Sequence, residues 1–177
     1  MDFIALDFET ASPKRHSACS LALTVVRNDQ VIDEMYSLIK PATEFSPNNI
    51  RIHGITPQDV ANSPTFPQLW PHISSFFGPQ KLIVAHNASF DVSVLRKTLG
   101  FYKLPVPNFM VLDTLKTSRQ LLNDLPNYQL NTVCDFLSIS LKHHHNALAD
   151  SRACAQILIS EAQQYGTEVL KPLIRAY

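Results

Sequence analysis

Two acidic residues interrupt the first apolar segment of the chain. The stretch FIALDFETAS, residues 3–12, begins as a buried β-strand, yet Asp7 and Glu9 follow inside the same run. Side chains two residues apart in a strand share one face, so both carboxylates point to the side that also carries Phe3 and Ala5. Two like charges in a partly buried place repel each other and lose hydration. We therefore expect a cation nearby that offsets this cost.

The bulk composition is that of an ordinary globular protein. The 177 residues are 45% hydrophobic and 17% charged, and we expect one domain, residues 1–177, with a sizeable core. Fifteen basic and fifteen acidic residues cancel, whereas proteins that hold long nucleic acid by themselves usually carry a basic surplus. A phosphate-bearing substrate would therefore be held by a local site, by metal ions or with the help of a partner.

The sequence predicts a cytoplasmic protein without a membrane segment. No stretch approaches the ~20 apolar residues that a membrane span needs, and early acidic residues interrupt any signal-peptide pattern. The three cysteines have scattered spacing with no metal-type pairing, so we interpret them as reduced core residues. They are Cys19, Cys134 and Cys154.

The pattern of apolar residues predicts an α/β sandwich around a mixed five-stranded sheet flanked by helices. Strands are predicted at 3–9, 19–26, 31–39, 81–85 and 109–114, with a hairpin turn at 27–30. Helices are predicted at 66–77, at 87–100, around 130–137 and from about 147 onward. Gly100 is the predicted stop of the second helix. The last helix is expected to bury Cys154, Ile157, Leu158 and Tyr165.

Two further acids occupy positions where apolar residues are expected. Asp91 precedes Val94 and Leu95 by three and four residues, which places it on the inward face of its helix, and Asp150 has the same relation to the last helix. In open α/β sheets, sites form where strand ends meet helix starts. Four carboxylates at one such edge suit Mg²⁺ or Mn²⁺. Two such ions about 3.5–4 Å apart can stabilise both the attacking and the leaving oxygen of a phosphoryl transfer.

Three motifs occur in order along the chain: LDFET, HNASFD and HNALAD. Together they resemble the motifs of the DEDDh, or DnaQ-like, 3′–5′ exonucleases, most closely the proofreading subunits (epsilon) of bacterial DNA polymerase III. The resemblance runs from about Phe3 to Leu158. It implies an RNase H-like fold and hydrolysis of the last phosphodiester at a 3′ end, with release of a nucleoside 5′-monophosphate.

The resemblance also implies a role for each motif residue. Asp7 would contact both of two Mg²⁺ or Mn²⁺ ions, Glu9 and Asp150 would complete the first site, and Asp91 would act largely through water. The family places its catalytic histidine five positions before the last aspartate, and His145 alone of the three consecutive histidines fits. His145 would take a proton from the attacking water.

Residues beside these motifs are candidates for binding the substrate. The stretch IHGIT, residues 52–56, resembles the segment of the family that covers the 3′-terminal nucleotide, and Thr10 would lie near the terminal 3′-hydroxyl. Phe8 and Phe90 either offer stacking surface or belong to the core. Asn87 either contacts the substrate or closes a strand-to-helix turn together with His86. The candidate substrate-binding residues are Phe8, Thr10, His53, Gly54, Ile55, Asn87 and Phe90. We interpret His143 and His144 as solvated loop residues and Asp113 as structural.

Several functions remain open at this point. An RNase H-like endonuclease would use acids on the same fold, and an RNA-directed exoribonuclease would share the whole site. A catalytically silent binding module would carry a damaged set of acids, but all five residues are present. NTP hydrolysis is disfavoured because none of the four glycines forms a phosphate-binding loop.

The favoured hypothesis is a metal-dependent 3′–5′ exonuclease that acts in proofreading, repair or turnover. Its partners would be nucleic-acid 3′ ends, with single-stranded DNA favoured over RNA. A polymerase or a repair protein is a candidate partner. The polymerase-binding tail of the proofreading subunits is not expected after Tyr177.

Overall fold

A mixed sheet of six strands runs through the computed structural model, which describes all of residues 1–177. The strands are β1 (Phe3–Thr10), β2 (Ala18–Arg27), β3 (Gln30–Leu38), β4 (Leu82–Ala85), β5 (Met110–Asp113) and β6 (Arg175–Ala176). The helices are α1 (Pro47–His53), α2 (Phe66–Ile73), α3 (Ala88–Phe101), α4 (Thr114–Leu121), α5 (Leu130–Phe136) and α6 (Ala147–Tyr165). The strand order is β3-β2-β1-β4-β5-β6.

Strand β1 lies inside the sheet and separates two packed layers. It pairs antiparallel with β2 and parallel with β4, so both of its backbone edges are hydrogen-bonded. Its residues Phe3 and Ala5 pack against α6, and Ile4 and Leu6 pack in the larger core on the other face. The alternation of side chains then places the acidic residues of β1 on the α6 side. This confirms the shared face predicted from the sequence.

The mixed α/β sheet is confirmed, but the predicted count of five strands is wrong by one. The added strand, Arg175–Ala176, pairs antiparallel with Met110 and Val111 at the edge of the sheet. Two exposed residues carry no apolar alternation, so the sequence pattern had no means of indicating this strand. The predicted hairpin at 27–30 is present, and its two central residues, Asn28 and Asp29, both have positive φ.

Two helices were not predicted, and two other details need correction. The first unpredicted helix, α1, buries none of its residues, so it lacks the apolar period that indicates a helix. The second, α4, follows β5 directly and is capped by Asp113, which accepts a hydrogen bond from the backbone of Leu115. Gly100 lies inside α3 rather than at its end, and Tyr165 is exposed at the last residue of α6. None of the helices is both long and apolar enough to span a membrane.

A buried glutamate joins α4 to α6. Glu161 has no solvent-exposed surface, and its carboxylate accepts hydrogen bonds from Thr117 Oγ1 and from Ser118 Oγ, the latter at 2.7 Å. Burial raises the pKa of Glu161 to about 7, against the opposing effect of these two hydroxyl donors. The contact fixes α4 on the body of the protein.

The raised pKa of Glu161 makes a prediction about stability and pH. The folded state keeps a proton that the unfolded state releases near pH 4.5, so the free energy of unfolding falls as the pH rises from about 4.5 to 7. We expect Glu161→Gln, which carries no charge, to be more stable than wild type by roughly 3 kcal/mol above this range and nearly equal below it. Urea denaturation of both proteins from about pH 4.5 to pH 8 measures the difference. A difference that does not vary with pH would contradict the assignment.

Candidate active site

Three carboxylates converge where β1 ends and α6 begins. Asp7 and Glu9 are among the last four residues of β1, and Asp150 lies in the first turn of α6. One oxygen of each lies within 4.8 Å of the others. The packing of α6 on the face of β1 brings these residues together although 141 positions separate Glu9 from Asp150.

The fourth predicted acid reaches the same place from α3. Asp91 is 2% exposed, and its Oδ1 accepts a hydrogen bond of 3.1 Å from the backbone N–H of Phe8. Phe8 stands between Asp7 and Glu9 in the sequence, so this hydrogen bond ties α3 to the acidic end of the strand. The structure therefore brings together all four acids predicted from the sequence.

The electrostatics of these acids indicate a cation site. Burial, followed by the charges of Asp91, Glu9 and Asp150, raises the pKa of Asp7 well above its ordinary value. Burial and the charges of Asp150 and Asp91 raise the pKa of Glu9 to about 8. No lysine or arginine forms an ion pair with any of the four. An all-oxygen donor set with excess negative charge fits hard divalent cations.

The loop before α6 contacts Asp150 through two consecutive histidines. Nδ1 of His144 lies 3.2 Å from Asp150 Oδ1, and the backbone N–H of His145 donates to Oδ2 at 2.9 Å. The hydrogen bond to Asp150 raises the pKa of His144. His144 is an exposed loop residue, as predicted, but its contact with Asp150 was not predicted. His143 is also exposed and bonds to none of the acids.

His145 differs from His144 in its surroundings. Its backbone has a positive φ of 66°, and its ring stacks on that of His144 with centroids 3.9 Å apart. Partial burial and the neighbouring His144 lower the pKa of His145. Its imidazole is therefore neutral near pH 7 and able to accept a proton.

One wall of the cleft is the helix α1, which is held against the end of β1. The backbone N–H of Ile55 donates to Nδ1 of His53 at 3.0 Å, so the other ring nitrogen, Nε2, carries the proton and donates to the Thr10 carbonyl at 3.1 Å. Asn49 donates to the same carbonyl at 2.8 Å. Of the candidate substrate-binding residues in this region, Thr10 and His53 line the cleft, while Gly54 and Ile55 do not. Gly54 instead ends α1 with a φ of 76°.

The aromatic candidates have different positions. Phe8 borders the cleft, but its ring is 2% exposed and packs in the larger core. The suggested stacking role of Phe8 is therefore wrong, because its side chain points to the face opposite Asp7. Phe90 lines the cleft and is partly exposed, with the Arg15 guanidinium 4.2 Å above its ring.

Asn87 stands at the junction of β4 and α3. Its side chain is exposed in the cleft, and its backbone is left-handed with a φ of 68°. Its N–H donates to Asp113 Oδ1 at 3.0 Å. Asp113 thus holds two backbone N–H groups, here and at the start of α4, which agrees with the predicted structural role.

The opposite wall consists of residues that sequence reasoning missed. They come from α4 and from the loop between α4 and α5: Leu115, Arg119, Asn127, Tyr128 and Gln129. His86 holds this loop, since its Nε2 lies 2.8 Å from the Tyr128 carbonyl and its Nδ1 lies 2.9 Å from Thr114 Oγ1. No motif marks these positions in the sequence. In addition, α4 was not predicted, so its side chains could not be assigned to the site. The cleft between the two walls has a volume of about 710 Å³.

Comparison with known proteins agrees with the geometry. The profile of the RNase_T family, described as an exonuclease, matches residues 4–158. The chain is 32% identical over 160 residues to the PolC-type DNA polymerase III of Caldanaerobacter subterraneus, covering 89% of this chain and 11% of the relative. It is 33% identical over 164 residues to the same enzyme of Thermotoga maritima, covering 89% and 12%. The chain thus spans only a small part of these relatives.

Solved structures are similar over nearly the whole chain. Exonuclease X in complex with 5′-overhanging duplex DNA has a TM-score of 0.79 at 26% identity, covering 97% of this chain and 98% of that one. The nuclease domain of 3′hExo, a DEDDh family member bound to rAMP, has a TM-score of 0.81 at 18% identity, covering 93% and 92%. The second likeness concerns the fold alone. The sheet and its helices thus have the RNase H-like fold of the DEDDh exonucleases, and the chain belongs to the RNase_T exonuclease family.

Proposed function

We propose that residues 1–177 act as a single 3′–5′ exonuclease domain, dependent on divalent metal ions. It would hydrolyse the 3′-terminal phosphodiester of single-stranded or frayed nucleic acid and release nucleoside 5′-monophosphates. The observation that carries this proposal is the convergence of oxygens of Asp7, Glu9 and Asp150 within 4.8 Å at the edge of an open cleft. Family membership supplies the reaction class.

Three of the four acids would bind the metal ions, and the fourth would support them. Asp7, Glu9 and Asp150 would bind two Mg²⁺ or Mn²⁺ ions through their converging oxygens. Asp91 would support them from α3, where the Phe8 N–H fixes one of its oxygens. When bound, such ions neutralise charge on the phosphate oxygens and make the attacking water more acidic.

His145 is proposed to accept the proton of the attacking water. The lowered pKa leaves its imidazole neutral near pH 7, and the hydrogen bond from its backbone to Asp150 keeps it beside the acids. His144 is less suited to this role, because its bond to Asp150 favours its protonated form. Because His145 is exposed, the proton would then pass from its ring to solvent.

DNA is the proposed substrate, with a polymerase or a repair protein as a candidate partner. Support comes from the similarity to a segment of PolC-type DNA polymerases and to Exonuclease X bound to duplex DNA. The 3′hExo domain bound to rAMP favours an RNA-directed exonuclease as the second candidate. Initial rates on DNA and RNA oligonucleotides of matched sequence distinguish the two.

Divalent metal ions are expected to affect both the stability and the activity of the protein. Mg²⁺ or Mn²⁺ is expected to raise the melting temperature and to be required for activity, because the ions relieve repulsion among the acids. Asp7→Asn removes one repelling charge, so its metal-free form should melt above wild type and gain less from the ions. Asp135→Asn, at an exposed acid of α5, is the control and should respond like wild type. Full activity in excess chelator would refute the metal requirement.

The second prediction concerns polarity. A strand labelled at its 5′ end should give a ladder of products shortened one nucleotide at a time, while a closed circle of the same sequence stays intact. Asp7→Ala should abolish the ladder, which shows that the activity belongs to this chain. Immediate release of the 5′ label as a mononucleotide, or rapid cutting of the circle, would support another nuclease class instead.

The third prediction separates the three histidines. His145→Ala is expected to lower kcat by about 10²–10⁴-fold, the usual contribution of a positioned base. Only neutral imidazole accepts a proton, so the wild-type rate should rise with pH below about 6.5, and the variant should lose this ascending limb. His143→Ala should match wild type. Suppose that His144→Ala keeps the wild-type increase in Tm on addition of metal. If this variant then loses as much kcat as His145→Ala and also loses the ascending limb of the pH–rate profile, the assignment of His145 as the base fails.

A further inference from the structure

Arg119 supplies a permanent positive charge to the lining of the cleft, whereas Arg15 lies at the edge of the cleft over the Phe90 ring. Arg119 is the sole lysine or arginine among the residues that line the cleft. The side chain is exposed and forms no ion pair. Leu115, four residues earlier on α4, also lines the cleft, so one face of the helix is turned toward the substrate space.

The helix that carries Arg119 is fixed on its other sides. Asp113 caps its first turn, and Glu161 binds Thr117 and Ser118 on the side that faces α6. The loop that follows is closed by the Tyr128 hydroxyl, which donates to a backbone carbonyl at 2.9 Å. The Arg119 backbone is therefore held rigidly while its guanidinium has no partner within the protein.

The charge distribution of the cleft indicates what the guanidinium binds. A phosphodiester strand adds one negative charge for each linkage, and the scissile linkage must lie at the acids of β1 and α6. Among the residues that line the cleft, any other phosphate meets acidic, histidine or uncharged side chains except at Arg119, and the Arg15 guanidinium at the cleft edge is stacked on the Phe90 ring. Guanidinium groups bind phosphate oxygens through paired N–H donors.

We propose that Arg119 binds a non-scissile phosphate of the incoming strand, so that oligonucleotides are the preferred substrate class over esters of a single nucleotide. This inference rests on the proposed exonuclease function. Arg119 contacts the substrate at a distance from the reacting atoms, and its contribution is to affinity and register. The chain as a whole offers no general attraction for an anion, since its fifteen basic and fifteen acidic residues cancel.

The experiment compares two substrates on three proteins. The substrates are a 5′-labelled DNA oligonucleotide and the p-nitrophenyl ester of thymidine 5′-monophosphate, which has one cleavable linkage and no further phosphate. The proteins are wild type, Arg119→Gln and Lys116→Gln, the last being an exposed cation on the same helix outside the cleft. Arg119→Gln should raise KM for the oligonucleotide roughly tenfold, with kcat and ester hydrolysis unchanged. Lys116→Gln should match wild type on both substrates.

Salt dependence gives a second readout. The slope of log(kcat/KM) against log salt concentration should be shallower by about 0.7 in Arg119→Gln, the value for one phosphate contact on a single strand. The ester should give the same slope in all three proteins. An equal loss on the ester and the oligonucleotide would overturn the proposal, since it would place Arg119 at the scissile phosphate.

Neutral linkages locate the contact. One methylphosphonate is placed in turn at each linkage upstream of the scissile one, and the first nucleotide removed is measured. At one linkage, the methylphosphonate should weaken binding to wild type but leave binding to Arg119→Gln unchanged. If the methylphosphonate has the same effect on wild type and on Arg119→Gln at every linkage, the proposal is overturned. If wild type cleaves both substrates and Arg119→Gln is unimpaired, this inference alone fails, whereas no cleavage of either substrate by wild type refutes the exonuclease function.

Discussion

Mutual repulsion among carboxylates at the end of β1 is the constraint on which the rest of the structure depends. Desolvation and neighbouring charge both raise the pKa of Asp7 and Glu9, so their assembly opposes folding when no cation is present. The scaffold resists this because β2 pairs with β1 along its whole length, β4 pairs with it at Ile4 and Ala5, and both faces of the strand are packed. A strand at the edge of the sheet would have one free side on which to move away from the strain.

The two faces of β1 have separate tasks. The face toward α6 ends in Asp7 and Glu9, and the other face ends in Phe8, whose ring anchors the larger core. The backbone N–H of Phe8, between the two acids, donates to Asp91, so this segment also positions the acid that comes from α3. The core and the candidate site are therefore built by the same residues, and a register slip of one residue would destroy both.

The two walls of the cleft are held by hydrogen bonds to neighbouring elements. The wall of α1 depends on hydrogen bonds to Thr10, and the wall of α4 depends on Asp113 and Glu161. Both walls are thus hydrogen-bonded to elements that carry or adjoin the acids. The proposed role of Arg119 is consistent with this arrangement, because a local charge at a cleft can attract an anion although the net charge of the protein is zero.

The sequence alone determined the order of the main elements, the shared face of Asp7 and Glu9, and the inward position of Asp91 and Asp150. These follow from the side-chain periods of two residues in a strand and 3.6 residues in a helix, which are local properties of the sequence and do not depend on tertiary contacts. Only the tertiary structure decided that His144 contacts Asp150, that the Phe8 ring is buried, and that Arg119 faces the cleft. Those three outcomes depend on which elements pack side by side and on the left-handed backbone of His145. Packing, rather than sequence spacing, sets the distance between residues that are far apart in the chain.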